Sequence, residues 1–270
     1  MMRFRKMHGL GNDFVIVDTR GGSDFSPGRI LPLLGDRRRG IGYDQLARIE
    51  NSSSCDARLS FWNADGSPSA TCGNATRCIA RLLMEETKTT KVMLETKNRT
   101  LACEDAGGGL TSVNMGKPQF EWMDIPLASE LDTISLPIDG HPVALGLGNP
   151  HCVFFVEDAE LAPVDELGPQ IEHHPLFPDR TNVEFASVRS RSQIRMRIWE
   201  RGTGITQASG SGACATAVAA ARRSLTGRSV EVELDGGVLN VDWRADGVWM
   251  TGPTSHVFDG VLSPDFAVSA

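Results

Sequence analysis

The chain carries an internal repeat, and no other feature of its sequence constrains the fold as strongly. The tetrapeptide Gly-Leu-Gly-Asn stands at positions 9–12 and again at 146–149, a spacing of 137 residues in a chain of 270. The same spacing aligns further positions: residues 61–63 (FWN) with 198–200 (IWE), 72–74 (CGN) with 209–211 (SGS), and Gln45 with Asn182. A tandem duplication predicts two lobes of the same fold.

The repeat also suggests where each lobe begins and ends. We expect an N-terminal lobe over residues 1–117, with residues 256–270 packing back on it, and a C-terminal lobe over residues 118–255. Ligand sites favour the interface between such lobes. The polar residues that recur in both halves are therefore expected to face a cleft between the lobes.

Each half mixes strand-like and helix-like sequence. Apolar runs and alternating segments predict strands at residues 14–17, 59–63, 153–156 and 194–200. Helical spacing predicts a helix over residues 73–88, and the alanine-rich residues 212–224 predict a second one, which Gly227 is expected to stop. The order of elements predicts an α+β fold, in which each lobe is a curled mixed or antiparallel sheet around a central helix.

Composition narrows the possible partners and the compartment. The net charge is −7 and the isoelectric point is about 5.4, which argues against nucleic acid and against an anionic membrane as partners. No apolar run is long enough for a membrane span, and the N-terminus lacks the apolar core of a secretory signal. Six cysteines occur without a CxxC pair or zinc-finger spacing, so we expect free thiols, no metal site and a cytoplasmic protein.

Cys72 stands directly before the first expected helix, after a turn rich in Gly, Ser and Pro. A thiol at a helix N-terminus faces the positive end of the helix dipole and the free N–H groups of the first turn, which both favour the thiolate. The same N–H groups can bind a carboxylate. Cys72 with Gly73 and Asn74 is therefore a candidate proton acceptor beside a substrate anchor. The alternative is that Cys72 is a packing residue at the start of the helix.

The second copy of this motif has Ser209, Gly210 and Ser211, preceded by Glu200 and Arg201. Arg201 can hold a carboxylate through two hydrogen bonds, and Glu200 can hold an ammonium group. Taken alone, Glu200 and Arg201 would be an ordinary end of a surface strand.

Several polar residues at loop or strand ends complete the candidate site. They are Asn12, Gln45, Asn63, Asn149, Asn182 and His151. Each amide alone is most often a turn residue, and a histidine in a loop is often only structural. Asn12 and Asn149 are related by the repeat, as are Gln45 and Asn182, and this recurrence favours a site.

A cleft with a carboxylate anchor and a proton-transferring group on each side suits the removal of an α-proton from one face of an amino acid and its return on the other. The sequence has no phosphate-binding P-loop or GxGxxG motif, and no lysine in a setting typical of pyridoxal phosphate. We therefore expect an epimerase or racemase that uses no cofactor.

The chain resembles the diaminopimelate epimerase family in segments spread over nearly its whole length. They are residues 6–14 (KMHGLGNDF), 63–66 (NADG), 72–74 (CGN), 148–151 (GNPH) and 200–202 (ERG). The resemblance implies two pseudo-symmetric α+β lobes, a homodimer, and cofactor-free interconversion of LL- and meso-diaminopimelate in lysine and peptidoglycan synthesis. One cysteine would act as thiolate base and another as thiol acid.

The resemblance also assigns roles to individual residues. Cys72 matches one of the two catalytic cysteines, and His151 and Glu200 match residues that assist them. Matches to substrate-binding positions are Asn12, Gln45, Asn63, Gly73, Asn74, Asn149, Asn182, Glu200, Arg201, Gly210 and Ser211.

One departure from the family pattern concerns catalysis itself. The second catalytic cysteine is expected at position 209, and this chain has Ser209. A serine hydroxyl is a much weaker acid than a thiol, so we expect impaired epimerisation. Cys214 lies five residues further along, more than one helical turn away. Three interpretations stay open: an engineered Cys→Ser change, a natural paralogue with a one-thiol reaction, and a natural epimerase that is slow or compensated.

Two other functions are compatible with the sequence. A related racemase or a dehydratase could use Cys72 alone, for example to remove water from a hydroxy amino acid. A non-catalytic amino-acid binding protein could have kept the cleft without turnover. Activity of the unaltered chain on a hydroxy amino acid would favour the first, and tight binding without turnover would favour the second.

Overall fold

The computed structural model describes residues 2–22, 25, 28–69 and 72–267. The chain forms two compact units, one of Met1–Val113 with Gly252–Ala270 and one of Asn114–Thr251. In the described part of the chain, no helix has the length and apolar character needed to cross a membrane.

The described residues of the first half form eight strands and two helices. In chain order they are β1 (Arg3–Gly9), β2 (Asn12–Asp18), α1 (Ile30–Gly35), β3 (Gln45–Glu50), β4 (Ala57–Asn63), β5 (Pro68–Ser69), α2 (Gly73–Thr87), β6 (Lys91–Glu95), β7 (Thr100–Gly107) and β8 (Leu110–Asn114).

The second half repeats this order and adds one strand. Its elements are β9 (Val143–Gly146), β10 (Pro150–Phe155), α3 (Val164–Glu172), β11 (Asn182–Ser190), β12 (Gln193–Glu200), β13 (Gly204–Ile205), α4 (Gly210–Arg222), β14 (Ser229–Leu234), β15 (Gly237–Arg244), β16 (Gly247–Pro253) and β17 (Ser255–Val261). Short 3₁₀ helices lie at Ala159–Leu161 and Pro264–Ala267.

The strands of the two units pair in the same way. In the first unit β2 is parallel to β3 with Phe14 opposite Gln45, and in the second β10 is parallel to β11 with His151 opposite Asn182. Each of these residues lies 137 positions from its counterpart. A parallel pair needs a crossover connection, and α1 and α3 occupy the two crossovers.

The remaining pairings make each sheet mixed. In the first unit β1–β2, β3–β4, β6–β7 and β7–β8 are antiparallel and β4–β6 is parallel. In the second unit β9–β10, β11–β12, β14–β15 and β15–β16 are antiparallel and β12–β14 is parallel. The expected α+β class with mixed sheets is confirmed.

One long buried helix packs against the strands of each unit. Helix α2 contacts β1, β2, β6 and β7, whereas α4 contacts β9, β10, β11, β12, β14 and β15. The small side chains of α4 explain its position, because every residue from Gly212 to Ala220 is buried. This agrees with the central helix expected for each lobe.

Helix α2 ends at Thr87, within one residue of the expected end, whereas α4 ends differently from the expectation. Helix α4 ends at Arg222, and the residue with a positive φ that reverses the chain is Ser224 at 58°, so the expected stop at Gly227 is wrong. The amides of Ser224 and Leu225 bond to the carbonyls of Ala221 and Ala220 and close the helix without a glycine. Lys88 has the corresponding left-handed conformation after α2.

Candidate functional site

Cys72 occupies the N-cap position of α2 in the first unit. Its backbone is extended, and its Sγ accepts a hydrogen bond from the amide of Ala75 at 3.4 Å. The thiol is half-buried, whereas Cys78 and Cys103 are fully buried and burial raises their pKa. Of these three thiols, Cys72 is therefore the one suited to proton transfer.

Ser209 occupies the same position at α4 in the second unit. Its Oγ accepts a hydrogen bond from the amide of Gly212 at 3.2 Å, and its backbone is extended like that of Cys72. The two N-caps are therefore equivalent in geometry and differ in the reacting atom.

Side-chain amides of the candidate site are hydrogen-bonded in pairs in the first unit. Asn74 donates from Nδ2 to Oδ1 of Asn12 at 3.1 Å, and Asn12 donates to Oδ2 of Asp44 at 2.9 Å. Gln45 donates to Oδ1 of Asn63 at 3.0 Å across the β3–β4 pair. The structure therefore brings Asn12 to Asn74 and Gln45 to Asn63, which the sequence could only group through the repeat.

A charged cluster that the sequence analysis missed supports Asn12. Arg37 bonds to both carboxylate oxygens of Asp13, at 2.7 and 3.0 Å, and to Asp44 at 2.7 Å. Lys6 also bonds to Asp13 and to the carbonyl of Gly42. Burial alone would raise the pKa of Asp13, but the bonds from Arg37 and Lys6 outweigh it and lower that pKa from 3.8 to about 2.

This cluster gives a stability prediction. A carboxyl whose pKa is depressed by folding stabilises the folded state above its unfolded pKa, and the effect disappears as the pH falls through the folded pKa. We expect Asp13→Asn to lower the free energy of unfolding by roughly 2 kcal/mol at pH 7, with the difference shrinking between pH 4 and pH 2. Urea unfolding at several pH values measures this difference.

The matched control is Asp259→Asn, because Asp259 pairs with Arg5 at 3.7 Å while its side chain is 67% exposed. Exposed pairs contribute little to stability, so this variant should differ from the parent by less than about 1 kcal/mol at each pH. A loss for Asp13→Asn that does not change between pH 7 and pH 2 would contradict the assignment of the effect to this charge.

In the second unit, His151 lies on β10 and its side chain is fully buried. Its Nδ1 lies 2.6 Å from Oε1 of Glu184, which is also fully buried, and its Nε2 lies 3.0 Å from Oδ1 of Asn149. Asn149 donates to Oγ of Ser211 in the first turn of α4 at 3.4 Å. A continuous hydrogen-bonded chain thus runs from Glu184 to the helix N-terminus.

Glu200 ends β12 beside Ser209. Burial raises the pKa of the Glu200 carboxyl, and the hydrogen bond with the Ser209 hydroxyl and the charge of His151 oppose this rise. Glu200 is thus suited to hold or exchange a proton with the group at position 209.

Asn182 and Arg201 are connected through the backbone. Asn182 accepts from the amide of Arg201 at 3.0 Å and donates to the carbonyl of Pro150 at 2.9 Å. The exposed Arg201 guanidinium bonds to the carbonyl of Asp179 at 3.0 Å. Asn182 therefore fixes the turn that presents Arg201.

Glu172 stabilises the same turn and was not singled out from the sequence. It accepts from Nε1 of Trp199 at 2.6 Å and from the amide of Gly202 at 2.9 Å. The repeat could not reveal it, because position 172 corresponds to Gly35 in the first half. Within the described ranges, no group of three His, Cys, Asp or Glu side chains is arranged to hold a metal ion.

Comparisons with known proteins identify the family of the chain. The family model described as diaminopimelate epimerase matches residues 4–121 and 143–257. The chain belongs to the diaminopimelate epimerase family. It is 48% identical over 268 residues to the diaminopimelate epimerase of Phenylobacterium zucineum, covering 96% of this chain and 97% of the relative. The corresponding enzyme of Rhodospirillum centenum is 47% identical over 268 residues, covering 97% and 92%.

Solved structures extend the likeness of fold beyond the family. A hydroxyproline epimerase from Agrobacterium vitis superposes with a TM-score of 0.69 at 17% identity, covering 96% of this chain and 91% of that one. A phenazine biosynthesis protein of the PhzF family from Bacillus anthracis gives 0.68 at 16% identity, covering 97% and 99%. Identities this low establish the shared fold alone.

Proposed function

We propose that the chain is an isomerase that converts LL-diaminopimelate to meso-diaminopimelate by proton transfer at the α-carbon, without a cofactor. The observation that carries the proposal is the family membership of a chain in which Cys72 and Ser209 cap equivalent helices in the same way. Diaminopimelate is the substrate, and the product serves lysine and peptidoglycan synthesis.

Two-base epimerisation needs a proton acceptor on one face of the α-carbon and a donor on the other. We assign one role to Cys72 and the other to position 209. The first-turn amides of α2 and α4, with Gly73 and Gly210 as their first residues, supply anchors for a substrate carboxylate. We propose that further side chains bind the remaining polar groups of the substrate or shape the site around them. They are Arg201 and the amides of Asn12, Gln45, Asn63, Asn74, Asn149 and Asn182.

Cys72 removes the proton as a thiolate or returns it as a thiol. At position 209 the hydroxyl of Ser209 holds its proton too tightly to give it up readily and is too weak a base to take one. We therefore propose that turnover is impaired in this chain, while substrate binding is retained.

The experiment that tests the function incubates the Ser209→Cys variant with LL-diaminopimelate in D₂O. The proposal expects the meso isomer, carrying deuterium at the inverted α-carbon. Proline and 4-hydroxyproline serve as alternative substrates under the same conditions. Conversion of either of these without conversion of LL-diaminopimelate would overturn the substrate assignment.

A one-thiol reaction is the second candidate, and the presence of Ser209 is the observation that favours it. A thiolate at Cys72 can remove an α-proton without any donor on the other face. If a β-hydroxy amino acid were the substrate, loss of hydroxide would then give an enamine that hydrolyses to a keto acid and ammonia. Formation of that keto acid by the unaltered chain would favour this function.

We also propose a cytoplasmic homodimer. Cys55, Cys78, Cys103 and Cys152 are free thiols, which suits a reducing compartment. Strand β17 pairs with β1 on one side and exposes Val257 and Val261, by 54% and 56%, and Phe258, by 46%. An exposed apolar edge strand favours association with another chain, and a second copy of this protein fits a self-complementary edge.

The dimer gives a further prediction. We expect Val257→Lys/Val261→Lys to convert a dimer to a monomer, because two charges on β17 would have to be buried on association. Sedimentation velocity at micromolar concentration measures the mass of each form. Leu161→Lys is the control, since Leu161 is 81% exposed and lies outside the strands. A monomeric parent, or a double variant that remains dimeric, would contradict the proposal.

A further inference from the structure

Glu184 is a buried carboxylate next to the candidate site, and neither the repeat nor the family resemblance assigns it a role. It lies on β11 with an exposed fraction of 0%, and its Oε1 is 2.6 Å from Nδ1 of His151. Among the described residues its Oε2 is buried and has no hydrogen-bond partner. A buried carboxylate with one oxygen unsatisfied is costly, so a role that offsets the cost is expected.

The first unit shows that the fold itself does not need this pair. Residues 137 positions earlier are Phe14 in place of His151 and Ala47 in place of Glu184, and both are fully buried. The strand register is the same, since Phe14 lies opposite Gln45 as His151 lies opposite Asn182. The equivalent strands therefore carry an apolar pair, Phe14 and Ala47, in the first unit and an ionisable pair, His151 and Glu184, in the second.

The start of α4 is adapted to this carboxylate. A Cβ added at Gly212 would lie 3.1 Å from Oε1 of Glu184 and 2.6 Å from Cδ1 of Ile198. The corresponding residue of α2 is Ala75, which faces no carboxylate at Ala47. The glycine thus leaves room first for Ile198 and also for the Glu184 carboxylate and Oγ of Ser209, which lies 3.1 Å from the same point.

The contacts of His151 define where its protons lie. Nε2 faces the carbonyl oxygen of Asn149 at 3.0 Å, so Nε2 carries a hydrogen and donates. Nδ1 lies 2.6 Å from Oε1 of Glu184, and this contact requires a hydrogen on one of the two atoms. In this arrangement His151 holds Asn149, and Asn149 holds the hydroxyl of Ser211 in the first turn of α4.

We propose that Glu184 is a positioning residue, which fixes the ring orientation and protonation of His151 and, through Asn149 and Ser211, orders the α4 N-terminus for substrate. Glu184 touches no substrate atom in this proposal. The proposal rests on the function proposed above, because the rate it affects is that of epimerisation.

A spectroscopic test uses the unaltered chain labelled with ¹⁵N-histidine. We expect a downfield ring proton on Nδ1 of His151 and ring nitrogen shifts of a histidine protonated at Nε2. Glu184→Gln, which keeps the volume and removes the charge, should abolish the downfield resonance while the melting temperature stays within a few degrees. An unchanged spectrum in that variant would overturn the proposal.

A kinetic test compares Glu184→Gln with its parent, both in the Ser209→Cys background. Carboxylates that orient a functional histidine commonly contribute about 10- to 100-fold, so kcat should fall by that factor with KM changed less than about two-fold. An unchanged kcat would overturn the proposal. If the Ser209→Cys reference itself shows no epimerisation, the proposed function fails, whereas the spectroscopic result still decides the role of Glu184.

A third variant separates positioning from packing. His151→Phe/Glu184→Ala/Gly212→Ala transfers the apolar set of the first unit to the second. Because the added Cβ at position 212 must displace Cδ1 of Ile198, we expect it to fold with a melting temperature somewhat below that of the parent and to lose epimerisation in the Ser209→Cys background. Retained epimerisation would show that the pair is not needed for the reaction and would overturn the proposal. If the triple variant does not fold, Glu184→Gln still gives the decisive result.

Discussion

We expect Ser209→Cys to raise the rate of conversion of LL- to meso-diaminopimelate by about 10²- to 10⁴-fold, which is the usual contribution of a positioned acid or base. The geometry is already in place, because Oγ of Ser209 accepts from Gly212 at 3.2 Å as Sγ of Cys72 accepts from Ala75 at 3.4 Å. A thiol would occupy the same N-cap, and the reacting atom would be the main change. We expect KM to change by less than about two-fold, since the carboxylate anchors are retained.

A control must show that the gain in rate depends on position 209 and not on a new thiol anywhere in the first turn of α4. Ser211→Cys provides it, since Ser211 lies two residues along the same helix and bonds to Asn149 instead of capping. Initial rates are measured from the appearance of the meso isomer by chiral chromatography. A parent chain as fast as the Ser209→Cys variant would show that Ser209 does not impair catalysis. An equal gain from Ser211→Cys would contradict the specific role of position 209.

We expect Cys72→Ala, made in the Ser209→Cys background, to reduce epimerisation by a similar factor and to confine α-deuterium uptake to the isomer whose α-proton faces position 209. Its thiol is the half-buried one at the helix N-terminus, where the dipole and the amide of Ala75 stabilise negative charge. The other thiol of intermediate exposure is Cys55, which lies outside the helices and strands. Cys55→Ala should therefore keep the full rate, and an equal loss in the two variants would contradict the assignment.

The repeat predicted much of the fold because duplicated halves share their strand register. Phe14 lies opposite Gln45 as His151 lies opposite Asn182, which is the equivalence that a repeat spacing of 137 residues implies. The end of α4 was harder to predict. Ser224 takes the left-handed conformation that a glycine usually takes, so Gly227 was a misleading signal.

The candidate site was predictable where the two halves agree and less so where they differ. Cys72 and Ser209 align, and their caps have the same geometry. Glu184 aligns with Ala47, and a comparison that looks for shared residues passes over it. One sequence signal for Glu184 was a charged residue within an otherwise apolar strand. A second signal was Gly212, where the first half has Ala75.

The cluster around Asp13 was missed for another reason. Lys6, Arg37 and Asp44 are separated in sequence and meet only because β1, β2 and the segment before β3 come together. Such ion pairs depend on the tertiary fold, so no local sequence pattern predicts them.

We infer that the Cys72 thiol transfers the α-proton in this chain and that Ser209 limits the rate of turnover. The most direct measurement follows α-deuterium uptake by the unaltered protein in D₂O, with LL- and with meso-diaminopimelate, by mass spectrometry after chiral separation. Because one face retains its thiol, we expect deuterium to enter one of the two isomers with retained configuration, faster than the isomers interconvert, and Cys72→Ala to stop it. No uptake with either isomer, or uptake that persists in Cys72→Ala, would contradict the claim.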